Sequence, residues 1–127
     1  MTTSAKLPLI AVLLLCLSAC AVQHTPSTFT PLSSAAQPAT RTLAQETALT
    51  LGTGYGRTLK AGSAWRQVGA IPQGEVYRPV GDVFTLEGSN IHEAYLVLRA
   101  DTLVGFYLPA EQGFSPLQSP VSLHFNH

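Results

Sequence analysis

Charge is scarce in this chain of 127 residues, with seven basic side chains set against seven acidic ones. A nearly neutral chain has no basic stripe to lay along a phosphate backbone, which excludes nucleic acid as a partner. The polybasic cluster that would draw a protein to anionic headgroups is missing too. Cysteine is nearly absent, at Cys16 and Cys20 alone. Both lie near the start, so the rest of the chain folds without a disulfide and rests on its apolar core. There is no long hydrophobic run. Residues 7–17 are apolar but interrupted by Pro8, and a spanning helix needs about twenty such residues. The catalytic signatures readable in a single sequence are also wanting: no Gly-x-Ser-x-Gly elbow, no His-Glu-x-x-His, no Gly-Lys-Ser/Thr phosphate loop.

What is present begins with a processing signal. Lys6 supplies a positive start, residues 7–17 an apolar core of signal-peptide length, and Leu17-Ser18-Ala19-Cys20 a small-residue cleavage site. This four-residue segment resembles the lipobox of bacterial lipoproteins. The resemblance implies cleavage between Ala19 and Cys20 and acylation of the Cys20 sulfur. Cys16 follows Leu13-Leu14-Leu15 with no small residue before it and does not fit. The alternatives are a plain secretory peptide cut after Ala19, and a short buried helix. Loss of residues 1–19 removes Lys6 and leaves six basic against seven acidic groups. Ala21 stands where lipoproteins kept at the inner membrane commonly carry aspartate, so the resemblance implies the outer membrane. Each buried methylene of an acyl chain adds about 0.8 kcal/mol, so several chains make a lasting anchor.

Residues 20–56 read as a lipid-anchored flexible linker. Residues 21–47 are rich in Thr, Ser, Pro, Ala and Gln, with Pro26, Pro31 and Pro38 and scattered apolar residues such as Phe29 and Leu32. Such a composition buries too little surface to offset its ordering entropy. About 25 residues of this kind would span roughly 25–30 Å. Leu43, Ala44, Ala48 and Leu51 fall near helical spacing, which allows a short helix over residues 42–51. The run Gly52-Thr53-Gly54-Tyr55-Gly56 would end it as a flexible entry to the domain.

From residue 57 to 127 the pattern is that of a small β-domain, mainly β, an antiparallel barrel or sandwich. Short β-like runs alternate with Gly and Pro: residues 64–70, 76–79, 83–86, 92–99, 102–108 and 121–125. The segments 92–99 and 102–108 are expected to pair as a hairpin around Ala100-Asp101, which is not a favoured tight-turn pair, so its loop length and register are left open. Alternation puts Ala94, Leu96 and Leu98 on one face and Tyr95 and Val97 on the other. It sets Leu103 and Tyr107 against Val104, Phe106 and Leu108. A hairpin apolar on both faces belongs at the centre of a domain, or presents one face to a partner. Trp65, Val68, Gly69, Ile71, Gly74, Val76 and Tyr77 form a pattern that resembles bacterial SH3-like domains. That resemblance implies a small β-barrel and, as an alternative function, a peptidoglycan-binding module.

The candidate chemistry is thin. His92 could act as a general base oriented by Glu93 or Glu111, but adjacent His92 and Glu93 should face opposite ways on a strand. Asn90, His92 and Glu93 therefore read as an exposed turn. His24, His124 and His127 do not make the three or four convergent ligands a metal needs, and His124 and His127 read as a frayed tail. No cofactor or metal site is expected. Trp65 and Phe106 read as core. Tyr107 and Phe114 are the expected partner surface, in the proline-bounded aromatic stretches 105–109 and 113–117. The sequence thus describes a non-enzymatic envelope protein, held to the membrane by acyl chains on Cys20 and contacting another envelope protein. The alternative from a different class is an envelope enzyme using His92 with a carboxylate.

Overall fold

The computed structural model describes residues 21–126, so Cys20, the cleavage site and His127 lie outside the described residues. Twelve strands run in chain order: β1 Thr25–Pro26, β2 Thr30–Pro31, β3 Arg41–Thr42, β4 Thr47–Thr50, β5 Gly56–Leu59, β6 Ala64–Ile71, β7 Gly74–Pro79, β8 Thr85–Glu87, β9 Ile91–Glu93, β10 Tyr95–Arg99, β11 Thr102–Leu108 and β12 Gly113–Ser122. There is no helix among the described residues. The expected antiparallel β class is what the chain adopts. The main sheet has the order β1-β12-β11-β10-β7-β6-β2, with β3 also on β6, and every pairing is antiparallel.

The hairpin β10–β11 lies at the centre of this sheet, joined by the two residues Ala100-Asp101. Ala100 takes a left-handed φ of 56°, the cost of a tight loop without glycine. Both of its faces are buried. Leu96, Leu98, Leu103, Phe106 and Leu108 join one apolar cluster, while Val97 and Tyr107 join another on the opposite face. One sequence expectation is corrected here. Leu103 does not share the Tyr107 face, because the pairing with β10 slips: Val97 faces Gly105 but its neighbour Leu98 faces Leu103. The extra residue, Val104, is a β-bulge, and a one-residue slip sends every later side chain to the other face.

The hairpins β4–β5 and β8–β9 pair outside the main sheet. Both contribute to the first cluster, through Leu49, Leu51 and Leu59 from one and Leu86 from the other. Phe84 bridges the rings of Trp65 and Phe106, at centroid distances of 5.9 and 5.5 Å. Arg57 lies over Phe84 at 4.4 Å.

The segment 21–56 is not a linker: it supplies four of the twelve strands whole. Leu43, Leu49 and Leu51 are buried in the core, Leu43 and Leu51 fully so. Leu43 bridges to Phe125, and the amides of Ala44 and Asn126 donate to the carbonyls of His124 and Thr42. The C-terminal segment is therefore pinned rather than frayed as far as residue 126. Arg41 stacks on Phe125 at 4.1 Å and reaches Asp101 at 2.6 Å, linking this segment to the central hairpin loop. The spacing of Leu49 and Leu51 is that of a strand, not the helix allowed over residues 42–51. The glycine run is the turn between β4 and β5, with Gly54 at φ 97° and its amide donating to the Leu51 carbonyl. The last strand also differs from expectation. β12 begins at Gly113 and contains Pro116 and Pro120, which sit where an outer strand needs no donor.

Because Leu43 is fully buried, Leu43→Ala should destabilise the protein by about 2–5 kcal/mol in urea titration, as core truncations do. A chain starting at Arg57 should not fold. Unchanged stability in either would return residues 21–56 to the role of a linker.

Candidate functional site

The second cluster occupies the sheet face opposite β4–β5 and β8–β9. It consists of Ile71, Val76, Val97, Tyr107 and Phe114, with Phe29, Val68, Tyr95 and Val104 packed at its margin. Its cover is a strap formed by residues 25–31. The strap starts against β12, where Thr25 pairs with Phe114, and ends against β6, where Thr30 pairs with Ala70. It thereby joins opposite sides of the five-strand core of the sheet. Phe29 in its middle stacks on Tyr107 at 5.3 Å with the rings 18° apart.

Glycines in the strands make room for this cover. A Cβ at Gly69 would lie 2.4 Å from the Thr30 carbonyl oxygen and 2.5 Å from the Phe29 ring. A Cβ at Gly113 would lie 2.3 Å from the His24 ring, and one at Gly105 2.7 Å from the Phe114 ring. Glycine within a strand marks a close approach by another group, and here two of the three approaching groups come from the strap and its entry. Tyr107 and Phe114, expected as an exposed partner surface, are buried members of this cluster. The cause is Phe29, a lone aromatic in a polar stretch that proves to be their covering layer. Trp65 and Phe106 are core, as read.

Between strap and sheet an open cleft of about 600 Å³ is lined by Pro26, Ser27, Thr28, Phe29, Pro72, Gln73, Tyr107 and Gln112. Ser27 crosses it, its hydroxyl donating to the Gln73 side-chain oxygen at 2.8 Å, and its amide donates to the Gln112 carbonyl. No carboxylate, histidine, lysine or arginine lines the cleft. Burial raises the pKa of Tyr107, with Tyr95 adding to it. Burial also raises that of Tyr95, reinforced by the charge of Glu93 and opposed by that of Arg78. The phenols of this face thus stay neutral well into the alkaline range.

The other sequence candidates fall elsewhere. His92 on β9 meets Glu111 of the β11–β12 loop, Nδ1 to Oε2 3.2 Å, and not Glu93. The two atoms are close but poorly aligned: Nδ1 and the second carboxylate oxygen, Oε1, are buried without a hydrogen-bond partner. Residues 92 and 111 are brought together only by the fold, through a side-chain contact between β9 and the loop, so spacing alone could not choose Glu111 over Glu93. Among the described residues no three His, Cys, Asp or Glu side chains converge as metal ligands. Cys20 and Ala19 lie outside the described residues. Comparison of the chain with protein-family models, curated proteins and solved structures finds no match.

Two outcomes follow from this geometry. Gly69→Ala should cost about 1–3 kcal/mol, the usual range for overpacking, and should speed amide exchange in residues 25–31 ahead of the core strands. Equal exchange in strap and core would separate Phe29 from the role given to it. The second concerns pH. An exposed phenol titrates near pH ~10, whereas folded Tyr95 and Tyr107 hold their protons higher. Above that pH the folded state binds more protons than the unfolded one, so stability is full at neutral pH and falls as pH rises through the folded pKa. The urea midpoint should drop above pH ~10, and Tyr95→Phe with Tyr107→Phe should flatten that drop.

Proposed function

We propose that the chain is a bacterial envelope lipoprotein, cut before Cys20 and held by acyl chains on that sulfur, whose β-domain binds another envelope protein. The observation that carries this reading is the junction between signal and fold. The lipobox-like Leu17-Ser18-Ala19-Cys20 is followed at once by residues docked on the domain: the Ala21 carbonyl accepts a hydrogen bond from the Thr53 hydroxyl, and Val22 packs against the first cluster. Cleavage before Cys20 would leave all twelve described strands in the mature chain. A small residue, Ala21, follows the cysteine and is consistent with transfer to the outer membrane.

Binding is favoured over catalysis by the character of the strap cleft. It is open and uncharged, and mixes aromatic and proline surface with the amides of Gln73 and Gln112. Such a surface suits an extended polar-apolar segment of a protein partner better than a reacting small molecule. The His92–Glu111 contact supports a second reading, an enzyme in which Glu111 orients His92 as a general base.

The test is the membrane-extracted product. Its intact mass should begin at Cys20 and include acyl chains; a bare thiol, or a chain beginning at Met1, refutes the anchor. A photo-crosslinker placed at exposed Thr28 in cells should give one discrete protein adduct, lost in Cys20→Ser and kept in His92→Ala. Loss of cellular function in His92→Ala at normal abundance would favour the enzyme. Co-sedimentation with peptidoglycan in place of a protein adduct would favour the SH3-like alternative.

A further inference from the structure

The junction that supports the anchor also orients the domain. Ala21 is one peptide from Cys20, about 3.8 Å between Cα atoms. It is held to the fold by the Thr53 hydroxyl, and its side chain lies 3.3 Å from where a Cβ on Gly88 would stand. Gly88 opens the Gly88-Ser89-Asn90 tip of the β8–β9 hairpin, closed by the Gly88 amide donating to the Asn90 carbonyl. The next residue, Ile91, pairs with Glu87 across the hairpin. Ile91 is 70% exposed, the most exposed large hydrophobic side chain among the described residues. The hairpin itself is held in place. Leu86 is fully buried, and the Glu87 amide donates to the Tyr55 hydroxyl.

We infer that the β8–β9 tip is a membrane-contact surface, with Ile91 entering the interfacial region of the phospholipid layer that receives the Cys20 acyl chains. This rests on the proposed acylation. Given it, reach decides which surface meets the lipid. With no free segment between the acylated residue and Ala21, the domain cannot stand off from the headgroups, and whatever flanks Ala21 faces them. What flanks it is a hairpin tip of Gly, Ser and Asn followed by an isoleucine with no protein neighbour over most of its surface. Glu87 is the one charged residue in the stretch 86–91, so the tip suits a zwitterionic surface and gains nothing from an anionic one. Lone exposed isoleucines are ordinary on protein surfaces; the position beside the anchor point is what distinguishes this one.

The mature acylated chain has no free thiol, so Ile91→Cys can be labelled specifically with an environment-sensitive nitrobenzoxadiazole fluorophore. The acylated protein is reconstituted in phosphatidylcholine vesicles, with and without bromine on the lipid chains. Burial of roughly 5–10 Å into the headgroup boundary should shift emission to the blue and give about twofold quenching by the brominated lipid. Ile91→Cys made in the Cys20→Ser background should show neither. Water-like emission from protein of confirmed acylated mass overturns the membrane contact and leaves the anchor standing. Equal quenching in the Cys20→Ser background overturns the claim that the anchor places Ile91. A product whose mass lacks acyl chains overturns the anchor, and the contact with it.

Discussion

A sheet that is apolar on both faces must be covered twice, and almost every feature of this fold answers that requirement. The requirement originates in β10 and β11, where Leu96, Val97, Leu98 and Phe106 leave no polar side to turn to water. The first face is covered by two hairpins, β4–β5 and β8–β9, which bring Leu49, Leu51, Leu59 and Leu86 down onto it. The second face is covered by far less, a strap of seven residues with one aromatic ring at its centre. Burying a side chain such as Phe29 contributes about 1.5–3 kcal/mol. That is a modest return for ordering a segment, so the strap is secured by pairing at both ends as well as by its ring.

The same segment also solves the problem of edges. A sheet that does not close offers unpaired amides to any passing strand. Here the outer positions are filled by two-residue strands that contain Pro26 and Pro31, residues with no amide hydrogen to offer. Pro116 and Pro120 do likewise in β12 beyond the reach of β1. The prolines that look like linker chemistry in one dimension are edge protection in three.

This explains which parts of the structure were legible in the sequence. Residues 64–71 and 95–108 announce themselves through local alternation and β-branched or aromatic content, and their strands were readable to within a few residues. The Val104 bulge was not, since nothing in Leu103-Val104-Gly105 distinguishes a slipped register from a regular one. Residues 21–56 mislead because Phe29 stands alone in a polar stretch, while Leu43 and Leu51 fall near a helical spacing that the strands do not use. Their packing partners lie far away in sequence, Tyr107 for Phe29, Phe125 for Leu43 and Leu117 for Leu51. A usable signal did exist. Gly69 and Gly105 interrupt otherwise good strands, and a strand glycine asks what lies against it. The candidate site follows the same division: the His92 and Glu111 candidates were visible as residue types, but only the fold could bring them together.

The docking of Ala21 and Val22 changes what the proposed anchor does. A linker of about 25 residues would let the domain sample a shell roughly 25–30 Å deep above the membrane. Attached without slack through the proposed anchor, the domain would instead keep a constrained orientation, and its surfaces would become unequal. The region around Ala21, Thr53 and Gly88 would then be committed to the bilayer side, and a partner would have to approach along the remaining surface. Confinement of this kind raises the effective concentration of a membrane-bound partner only when the binding surface lies within its reach. A constrained orientation also means that the partner's own height above the membrane must match. On this view the strap has two uses in one piece of chain: it covers the apolar face that would otherwise aggregate, and it carries the mechanical connection from the anchor into the sheet.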